Sequence, residues 1–548
     1  MINIFDSKLL EGLGPHEFRR SIQRLLLQMG WECFSIDGPG DGGGDLYAEN
    51  KAGERWIIQS KWRKNKSIPP AVIDEALNAF SIYDANAAVV VTNQYLSPLA
   101  KNKLRNLQET GYRIDCWNGE DLQALANKVD QFLPEKQLRE YQFEAVKRIW
   151  EALTNKKRAL LYMATGLGKT VVTGSIIRKI IEQNAGAKIL VLAHMMVLTE
   201  QLQRALWQDI PFGYPSQLVD GSNKPVELVG LTVSTNMSIL SYIKDGYVPD
   251  LIIIDECHHL GDSNNYAQIL RILNSVPVLG VTATPWRGDK FSIENFFGPP
   301  SFICSIEEGM KNKYLAKVDY RLYCDNINWV DVPNLSKYSY TIKQLNKKLF
   351  LPQRDETIIE RLIEAWSDVI NPKCIIFCQS IEHAKNLHSL VIRFDLFKNA
   401  QLLHSEIEKN SRNLVLLNFR KSVCPMLIAV DILNEGVDVP NVNIVCFARV
   451  THSRKIFIQQ LGRGLRISPE KEKVIVLDFA ADTRRLAAVR YLSEQTDEGE
   501  VEKLELRHNK ITFSDLRAKK LIDEWIADAA DLETANDESH LQFPAFLE

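Results

Sequence analysis

The chain has 548 residues, of which 45% are hydrophobic and 25% are charged, and its formal net charge is −3. This length predicts roughly three or four domains, and the composition is typical of a globular protein and excludes a disordered or fibrous one. The weak net charge excludes a uniformly basic surface, so any nucleic-acid-binding surface has to be local.

The cysteines and the hydrophobic runs indicate a cytoplasmic protein without a membrane span. The nine cysteines form no CxxC pair, which gives no support to a four-ligand zinc site or a disulfide framework. No apolar run approaches the length of a membrane-spanning helix, and residues 1–6 lack the basic start of a secretory signal.

Residues 1–130 alternate helix-like and strand-like patterns and predict a small α/β domain. The predicted elements are a helix over 17–27, strands over 31–36, 55–62, 87–92 and 112–117, and a helix over 120–127. Residues 131–137, with Pro134, predict a linker.

Candidate catalytic residues lie on and near the second of these strands. Gln59 and Lys61 are two positions apart, so their side chains share one face of the strand. Asp45 follows a glycine-rich loop, and its carboxylate can hold Mg²⁺ while Lys61 helps to activate an attacking water. Glu17, from the first helix, can add a second carboxylate to the metal.

The helix with Glu17, the run at 41–45 and the Gln59-x-Lys61 pair resemble the Mrr-like branch of the PD-(D/E)xK restriction endonucleases. This resemblance implies a Mg²⁺-dependent DNA endonuclease with Asp45, Gln59, Lys61 and Glu17 as catalytic residues and with Asp45 and Glu17 as metal ligands. Gln59 stands where the wider superfamily has Glu or Asp. Two alternatives remain open: an unrelated α/β domain, and a retained fold without activity.

Residues 163–170 follow an apolar run and precede a helix-like run, which is typical of a phosphate-binding loop. We expect Lys169 to reach the β and γ phosphates of ATP and Thr170 to hold Mg²⁺. Met163 stands where the usual pattern has its first glycine. The remaining predicted ATP-binding residues of this half of the chain are Thr165, Gly166, Gly168, Gln142, which is placed to read the adenine edge, and Arg139, which assists it.

A second strand-end site follows the apolar run 251–254, which delivers Asp255 and Glu256. Adjacent acids at this position suit phosphoryl transfer, with Asp255 binding Mg²⁺ and Glu256 orienting the attacking water. The carboxyl ends of parallel strands are where open α/β sheets bind their ligands, so these acids and the phosphate loop are expected to meet.

The pattern of buried strands repeats after residue 373. A glycine turn carries Gly436 and Asp438, and a later helix presents Arg463 and Arg466 three residues apart on one face. Arginine captures phosphate oxygens with two hydrogen bonds, so both side chains are predicted to act on the γ-phosphate from a second domain.

Residues 138–480 resemble a superfamily 2 helicase motor of the restriction-enzyme-like branch, on the DECH box at 255–258 and the runs at 282–287 and 430–440. The resemblance implies two RecA-like domains, 138–300 and 301–480, that couple ATP hydrolysis to movement on nucleic acid. It implies coupling roles for His258, Thr282 and Thr284, and places His194, Thr235, Gln379 and Ser380 near the nucleic-acid path. Val430 stands where many helicases have a threonine.

The predicted fold is therefore α/β, with a restriction-endonuclease-like domain, two RecA-like parallel-sheet domains and a helical extension over 481–548. The predicted function is an ATP-dependent DNA helicase or translocase fused to a Mg²⁺-dependent endonuclease that acts, preferably on double-stranded DNA, in restriction or antiviral defence. A defence-system partner subunit and any oligomeric state stay open.

Three other functions also stay open. They are a DNA-repair or remodelling translocase with an inactive nuclease-like domain, an RNA helicase, and a DNA-binding sensor subunit.

Overall fold

The computed structural model describes residues 5, 10, 14–36, 43–64, 66–134, 136–221, 223–261, 264–283, 292–323, 339–341, 344, 355–378, 380–430, 442–448, 471, 473–479, 505–506 and 540–542. Three main sheets organise these residues, in the order expected for a small α/β domain followed by two larger ones. Each described helix is too short or too polar to cross a membrane.

The first domain is a five-stranded mixed sheet in the order β1-β2-β3-β4-β5. Its strands are β1 (Glu32–Ser35), β2 (Leu46–Glu49), β3 (Arg55–Lys61), β4 (Ala87–Thr92) and β5 (Ile114–Trp117). Its helices are α1 (Pro15–Gln28), α2 (Ala71–Ile82), α3 (Pro98–Glu109) and α4 (Gly119–Ala126). Strands β1, β2 and β3 pair antiparallel, and β3, β4 and β5 pair parallel.

Alternation along β3 separates two hydrophobic cores. Ile58 packs with α1, whereas its neighbour Ile57 packs with α2. Because side chains alternate between the faces of a strand, Gln59 and Lys61 lie on the α2 side with Ile57. This register decides which helix can contribute to a site at the end of β3.

The second domain is a seven-stranded parallel sheet in the order β12-β6-β11-β10-β7-β9-β8. Its strands are β6 (Arg158–Met163), β7 (Ile189–Ala193), β8 (Ser216–Val219), β9 (Leu231–Thr235), β10 (Leu251–Ile254), β11 (Val278–Thr282) and β12 (Phe302–Cys304). Its helices are α5 (Glu140–Lys156), α6 (Lys169–Gln183), α7 (Met196–Leu206), α8 (Asn236–Lys244), α9 (Asn265–Ile272), α10 (Glu294–Phe297) and α11 (Ile306–Lys311). Because β12 pairs with β6, this sheet continues past the boundary predicted at residue 300.

The third domain repeats the parallel arrangement in the order β16-β17-β15-β18-β19-β13-β20. Its strands are β13 (Lys317–Tyr323), β15 (Cys374–Cys378), β16 (Gln401–Leu403), β17 (Met426–Ala429), β18 (Ile444–Ala448), β19 (Lys473–Phe479) and β20 (Glu505–Leu506). Its described helices are α12 (Asp355–Ser367), α13 (Ile381–Val391) and α14 (Lys409–Arg420). A separate antiparallel pair joins β14 (Ser339–Thr341) to β21 (His540–Gln542).

The α/β class and the two parallel-sheet domains are confirmed. Both large sheets are buried in their centres: β7, β10 and β15, for example, are buried along their full length, as strands covered on both faces must be. The predicted helices of residues 481–548 lie outside the described residues.

Candidate active sites

The phosphate-binding loop connects β6 to α6. Gly166 and Gly168 have φ values of +92° and +95°, which side-chain-bearing residues rarely adopt. The helix begins at Lys169, which puts Lys169 and Thr170 in its first turn, where the free backbone N–H groups and the helix dipole favour an anion. Thr165 lies in the same turn between strand and helix.

The acids at the end of β10 face this loop. Lys169 Nζ lies 3.5 Å from Glu256 Oε1, and both side chains are largely buried. Burial and the charge of Glu256 raise the pKa of Asp255 to about 6. Burial also opposes ionisation of Glu256, but the charge of Lys169 and a hydrogen bond from His258 offset it and lower the pKa of Glu256.

Two carboxylates therefore share one lysine. The excess negative charge in a buried place suits a divalent cation, which takes oxygen ligands such as Asp255 and the Thr170 hydroxyl. Lys169, Asp255 and Glu256 are thus neighbours at one edge of the sheet. A group of three or more His, Cys, Asp or Glu side chains able to hold a metal is absent from the described part of the chain.

His258 links the acids to the end of β11. Its Nδ1 lies 3.2 Å from Glu256 Oε2 and 2.9 Å from Thr282 Oγ1. The ring of His259 lies against both His258 and His194, with centroid distances of 4.3 and 4.2 Å. His194, His258 and Thr282 are therefore connected through side-chain contacts to Glu256.

Gln142 contacts the phosphate loop. Its Nε2 donates to Leu167 O at 2.8 Å, and its Oε1 accepts from the backbone N–H of Arg139 at 3.0 Å. Arg139 donates to Tyr314 O at 3.1 Å. In this arrangement the Gln142 amide holds the phosphate loop, and its role in reading the adenine edge stays a prediction.

The remaining motor residues lie at helix starts or outside the described chain. Thr235 is buried and accepts from Ser238 N as the N-cap of α8, and Ser380 accepts from His383 N as the N-cap of α13. The predicted residues outside the described ranges are Thr284, Gln379, Gly436, Asp438, Arg463 and Arg466.

The candidate nuclease residues fall into two adjacent groups at β3. Asp45 Oδ2 accepts from Ser60 N at 2.6 Å and from Ser60 Oγ at 2.8 Å, and Arg19 NH1 lies 3.8 Å from Asp45 Oδ1. Gln59 and Lys61 instead contact Glu75 of α2.

Glu75 is a residue that the sequence prediction missed. Its Oε2 accepts from Gln59 Nε2 at 3.1 Å and from Lys61 Nζ at 3.3 Å. One signal was present: an acid on the helix that follows β3. Which helical turn reaches the strand end depends on packing, which the sequence pattern does not specify.

Glu17 requires a correction. The sequence predicts that Glu17 joins Asp45 as a metal ligand. In the structure its side chain instead contacts the seven-stranded domain that contains Lys169. Glu17 Oε1 accepts from Leu218 N at 3.2 Å and from Asn223 Nδ2 at 2.6 Å. The side chain is buried, and this burial raises its pKa.

Two arginines of the same helix complete this contact between the domains. Arg20 hydrogen-bonds to Gln203 and to Glu200 O, and it lies over the Trp207 ring. Arg24 donates to Tyr214 O at 2.7 Å and to Pro211 O at 2.5 Å. Both guanidinium groups are buried, so helix α1 is fixed to the motor by charged groups with backbone partners.

Comparison with known protein families agrees with this division of the chain. Residues 10–126 match a restriction endonuclease family of the Mrr type, residues 135–287 match the type III restriction enzyme res subunit, and residues 355–468 match the helicase conserved C-terminal domain. The chain therefore contains a segment that matches Mrr-type restriction endonucleases, followed by two segments that match the parts of a restriction-enzyme-like helicase. The matched families are those of helicases and restriction endonucleases, both of which are enzymes.

Individual relatives are distant. This chain is 26% identical over 397 residues to the type I restriction enzyme EcoAI endonuclease subunit of Escherichia coli, covering 65% of this chain and 48% of that subunit. It is 26% identical over 377 residues to a DNA 3'-5' translocase of Sulfurisphaera tokodaii, and the match covers 62% of this chain and 81% of that translocase. The chain thus spans about half the length of the E. coli subunit.

Among solved structures, a type ISP restriction-modification enzyme, LlaBIII, bound to DNA is 16% identical. The match covers 86% of this chain and 36% of that chain, with a TM-score of 0.47. That value is too low to carry an argument about fold or function.

Proposed function

We propose that the chain is an ATP-driven DNA translocase whose Mrr-like domain cuts DNA in the presence of Mg²⁺, in restriction or antiviral defence. The observation that carries this proposal is the direct packing of the nuclease-like domain, through helix α1, on the domain that holds Lys169 and Glu256. A nuclease fixed to a motor in this way acts where the motor brings the DNA.

In the proposed motor reaction, Lys169 and the loop N–H groups bind the phosphates, and Glu256 orients the attacking water. Bound Mg²⁺, held by Asp255 and Thr170, would neutralise charge on the phosphates. His258 and Thr282 transmit the state of this site toward the nucleic acid. Gly436, Asp438, Arg463 and Arg466 are proposed to complete the site from the second motor domain.

In the proposed nuclease reaction, Lys61 orients or helps to deprotonate the attacking water beside Gln59. Asp45 is the proposed metal ligand from the start of β2. The relatives named above, a restriction endonuclease subunit and a DNA translocase, support DNA as the substrate. Double-stranded DNA is the proposed form, because restriction acts on duplexes.

A second candidate function is a DNA translocase whose nuclease-like domain binds DNA without cutting it. One observation favours it: the described residues near β3 present Asp45 and the Gln59–Lys61 pair in separate groups. Metal or DNA would have to draw the two groups together for cutting.

ATP turnover tests the motor proposal directly. Hydrolysis is measured without nucleic acid, with duplex DNA, with single-stranded DNA and with RNA. We expect stimulation by DNA that is lost in Lys169→Ala. Equal stimulation by RNA would instead support an RNA helicase, and an absence of turnover with every nucleic acid would contradict the motor proposal.

A further inference from the structure

We infer that Glu75 is a metal-binding carboxylate of the nuclease domain and supplies the negative charge that Gln59 lacks. This inference rests on the proposed nuclease function. It assigns to helix α2 the role that was predicted for Glu17 of helix α1, whose side chain instead contacts the first motor domain.

The position of Glu75 fits a ligand. Its carboxylate contacts both Gln59 and Lys61, and its side chain is 39% exposed, so an ion from solvent can reach it. Gln59, Lys61 and α2 share one side of the sheet, as the alternation of Ile57 and Ile58 between the two cores requires.

Gln59 provides an independent observation. Its side chain is 5% exposed, and its Oε1 is buried without a hydrogen-bond partner among the described residues. A buried amide oxygen without a donor is unfavourable. A hard divalent cation takes amide and carboxylate oxygens together, so a metal bound between Gln59 and Glu75 satisfies this atom.

The loop before Asp45 is packed on the helical turn that carries Glu75. A Cβ at Gly43 would lie 2.6 Å from Glu75 Cα, and Gly43 has a φ of +96°. Only glycine allows both the close approach and this backbone conformation. The same contact therefore fixes Glu75 and the segment that leads into Asp45, the other proposed ligand.

A competing role for Glu75 is to position Lys61 through their ion pair. The two roles predict opposite effects on metal affinity. If Glu75 is a ligand, its neutralisation weakens binding of a divalent cation, whereas removal of the nearby positive charge of Lys61 leaves binding unchanged or strengthens it. If Glu75 only holds Lys61, neither change weakens binding.

The experiment measures Mn²⁺ binding to the full chain by electron paramagnetic resonance, without nucleotide or DNA. Every protein carries Asp255→Asn, which removes the proposed metal ligand of the motor. The test variants are Glu75→Gln, Lys61→Ala and the double variant Gln59→Glu/Glu75→Gln. Asp74→Asn is the matched control, because Asp74 is adjacent on α2 and pairs with Lys103 away from the site.

We expect Glu75→Gln to weaken Mn²⁺ binding about tenfold or more, as loss of metal-site groups typically does. Lys61→Ala and Asp74→Asn should not weaken it, and Gln59→Glu in the double variant should restore it. Unchanged binding in Glu75→Gln, equal weakening in Lys61→Ala, or an absence of any Mn²⁺ site would overturn the inference.

Cleavage of closed circular DNA by the chain with Asp255 intact separates this inference from the proposed function. DNA cutting that persists in Glu75→Gln, with unchanged Mn²⁺ binding, overturns the inference and leaves the nuclease proposal standing. Glu75-dependent Mn²⁺ binding without any DNA cutting supports the inference and contradicts the nuclease proposal.

Discussion

The Glu17 carboxylate is buried at a domain boundary, where one of its oxygens accepts from Leu218 N and Asn223 Nδ2. Both donors belong to the first motor domain, and burial makes the charged form of Glu17 unfavourable, which raises its pKa above its usual value of 4.5. Glu17 is therefore an interface residue whose negative charge is unfavourable to bury. The side-chain oxygen of a glutamine at this position could accept the same two hydrogen bonds without that charge.

We predict that Glu17→Gln does not destabilise the folded chain at pH 8. Because folding raises the pKa of Glu17, the folded state holds this proton more tightly than the unfolded state does. The free energy of unfolding of the unmodified chain therefore falls as pH rises from about 4.5 through the raised pKa. The difference in apparent melting temperature, Gln variant minus unmodified chain, should increase with pH over that window and vanish below it.

Calorimetric scans from pH 4 to pH 8 measure this difference. Mn²⁺ binding in the same samples is expected to be unchanged. A loss of Mn²⁺ binding in Glu17→Gln would show that Glu17 is a metal ligand after all and would contradict its assignment to the interface.

The positions of candidate site residues were predictable where strand ends decide them. Lys169, Glu256, His258 and Thr282 follow apolar strands of one parallel sheet, so topology alone brings them together. Glu17 and Glu75 lie on helices, where a side chain's direction depends on packing against a neighbour. Helical periodicity predicts the apolar face of α1, and it does not say which domain its charged residues meet.

At the scale of elements, the loop that leads into β2 is held by helix α2. Gly43 is in the left-handed region, and its Cα lies so close to the Glu75 backbone that a side chain has no room. Gly53 has a similar φ of +79°, but a Cβ there would meet only Glu49 Oε1 at 4.0 Å. Substitutions at these two glycines therefore distinguish the free-energy cost of a positive φ, which both positions share, from the cost of a steric clash with α2, which arises only at Gly43.

We predict that Gly43→Ala impairs the nuclease domain much more than Gly53→Ala does. Each change costs about 1 kcal/mol for an unfavourable φ. Gly43→Ala additionally forces the loop away from α2 and so displaces Asp45. Thermal unfolding, DNA cleavage and ATPase activity are measured for both variants.

The expected result for Gly43→Ala is loss of DNA cleavage with ATPase activity retained. Gly53→Ala should keep both activities. Equal behaviour of the two variants would contradict a specific role for the contact between the Gly43 loop and α2.

At the scale of the whole molecule, the nuclease domain contacts both motor domains. The Phe34 ring lies between Arg204 of α7 and Arg420 of α14, with guanidinium carbons 4.9 and 4.8 Å from its centroid. Lys421, next to Arg420, pairs with Glu49 and donates to Tyr47 Oη at 2.8 Å. Phe34, Glu49 and Tyr47 all belong to β1 and β2 of the nuclease domain.

Such a bridge makes the nuclease sensitive to any movement between the motor domains. Ligand-driven closure of two domains is a common conformational change, and a third domain attached to both must strain or release one contact. The sequence motifs predicted three domains in this order. It did not predict this bridge, because cation–π pairs between distant segments leave no periodic pattern in the sequence.

We predict that the double variant Phe34→Ala/Lys421→Ala uncouples cutting from ATP. Both residues lie outside the group formed by Lys169, Asp255 and Glu256, so ATP hydrolysis should persist, while the ratio of DNA cleavage with ATP to cleavage without ATP should fall toward one. Phe394→Ala/Lys398→Ala is the matched control, because Phe394 and Lys398 are an exposed phenylalanine and an exposed lysine of the same motor domain outside the bridge. An unchanged ratio in the double variant would contradict coupling through this bridge.

The central claim is that one chain joins an ATP-driven DNA motor to a metal-dependent nuclease. Cleavage of closed circular DNA with Mg²⁺, with and without ATP, tests it most directly when Lys61→Ala and Lys169→Ala are compared with the unmodified chain. We predict cutting by the unmodified chain, loss of cutting in Lys61→Ala, and loss of its ATP dependence in Lys169→Ala. DNA-stimulated ATP hydrolysis without any cutting by the unmodified chain would contradict the claim.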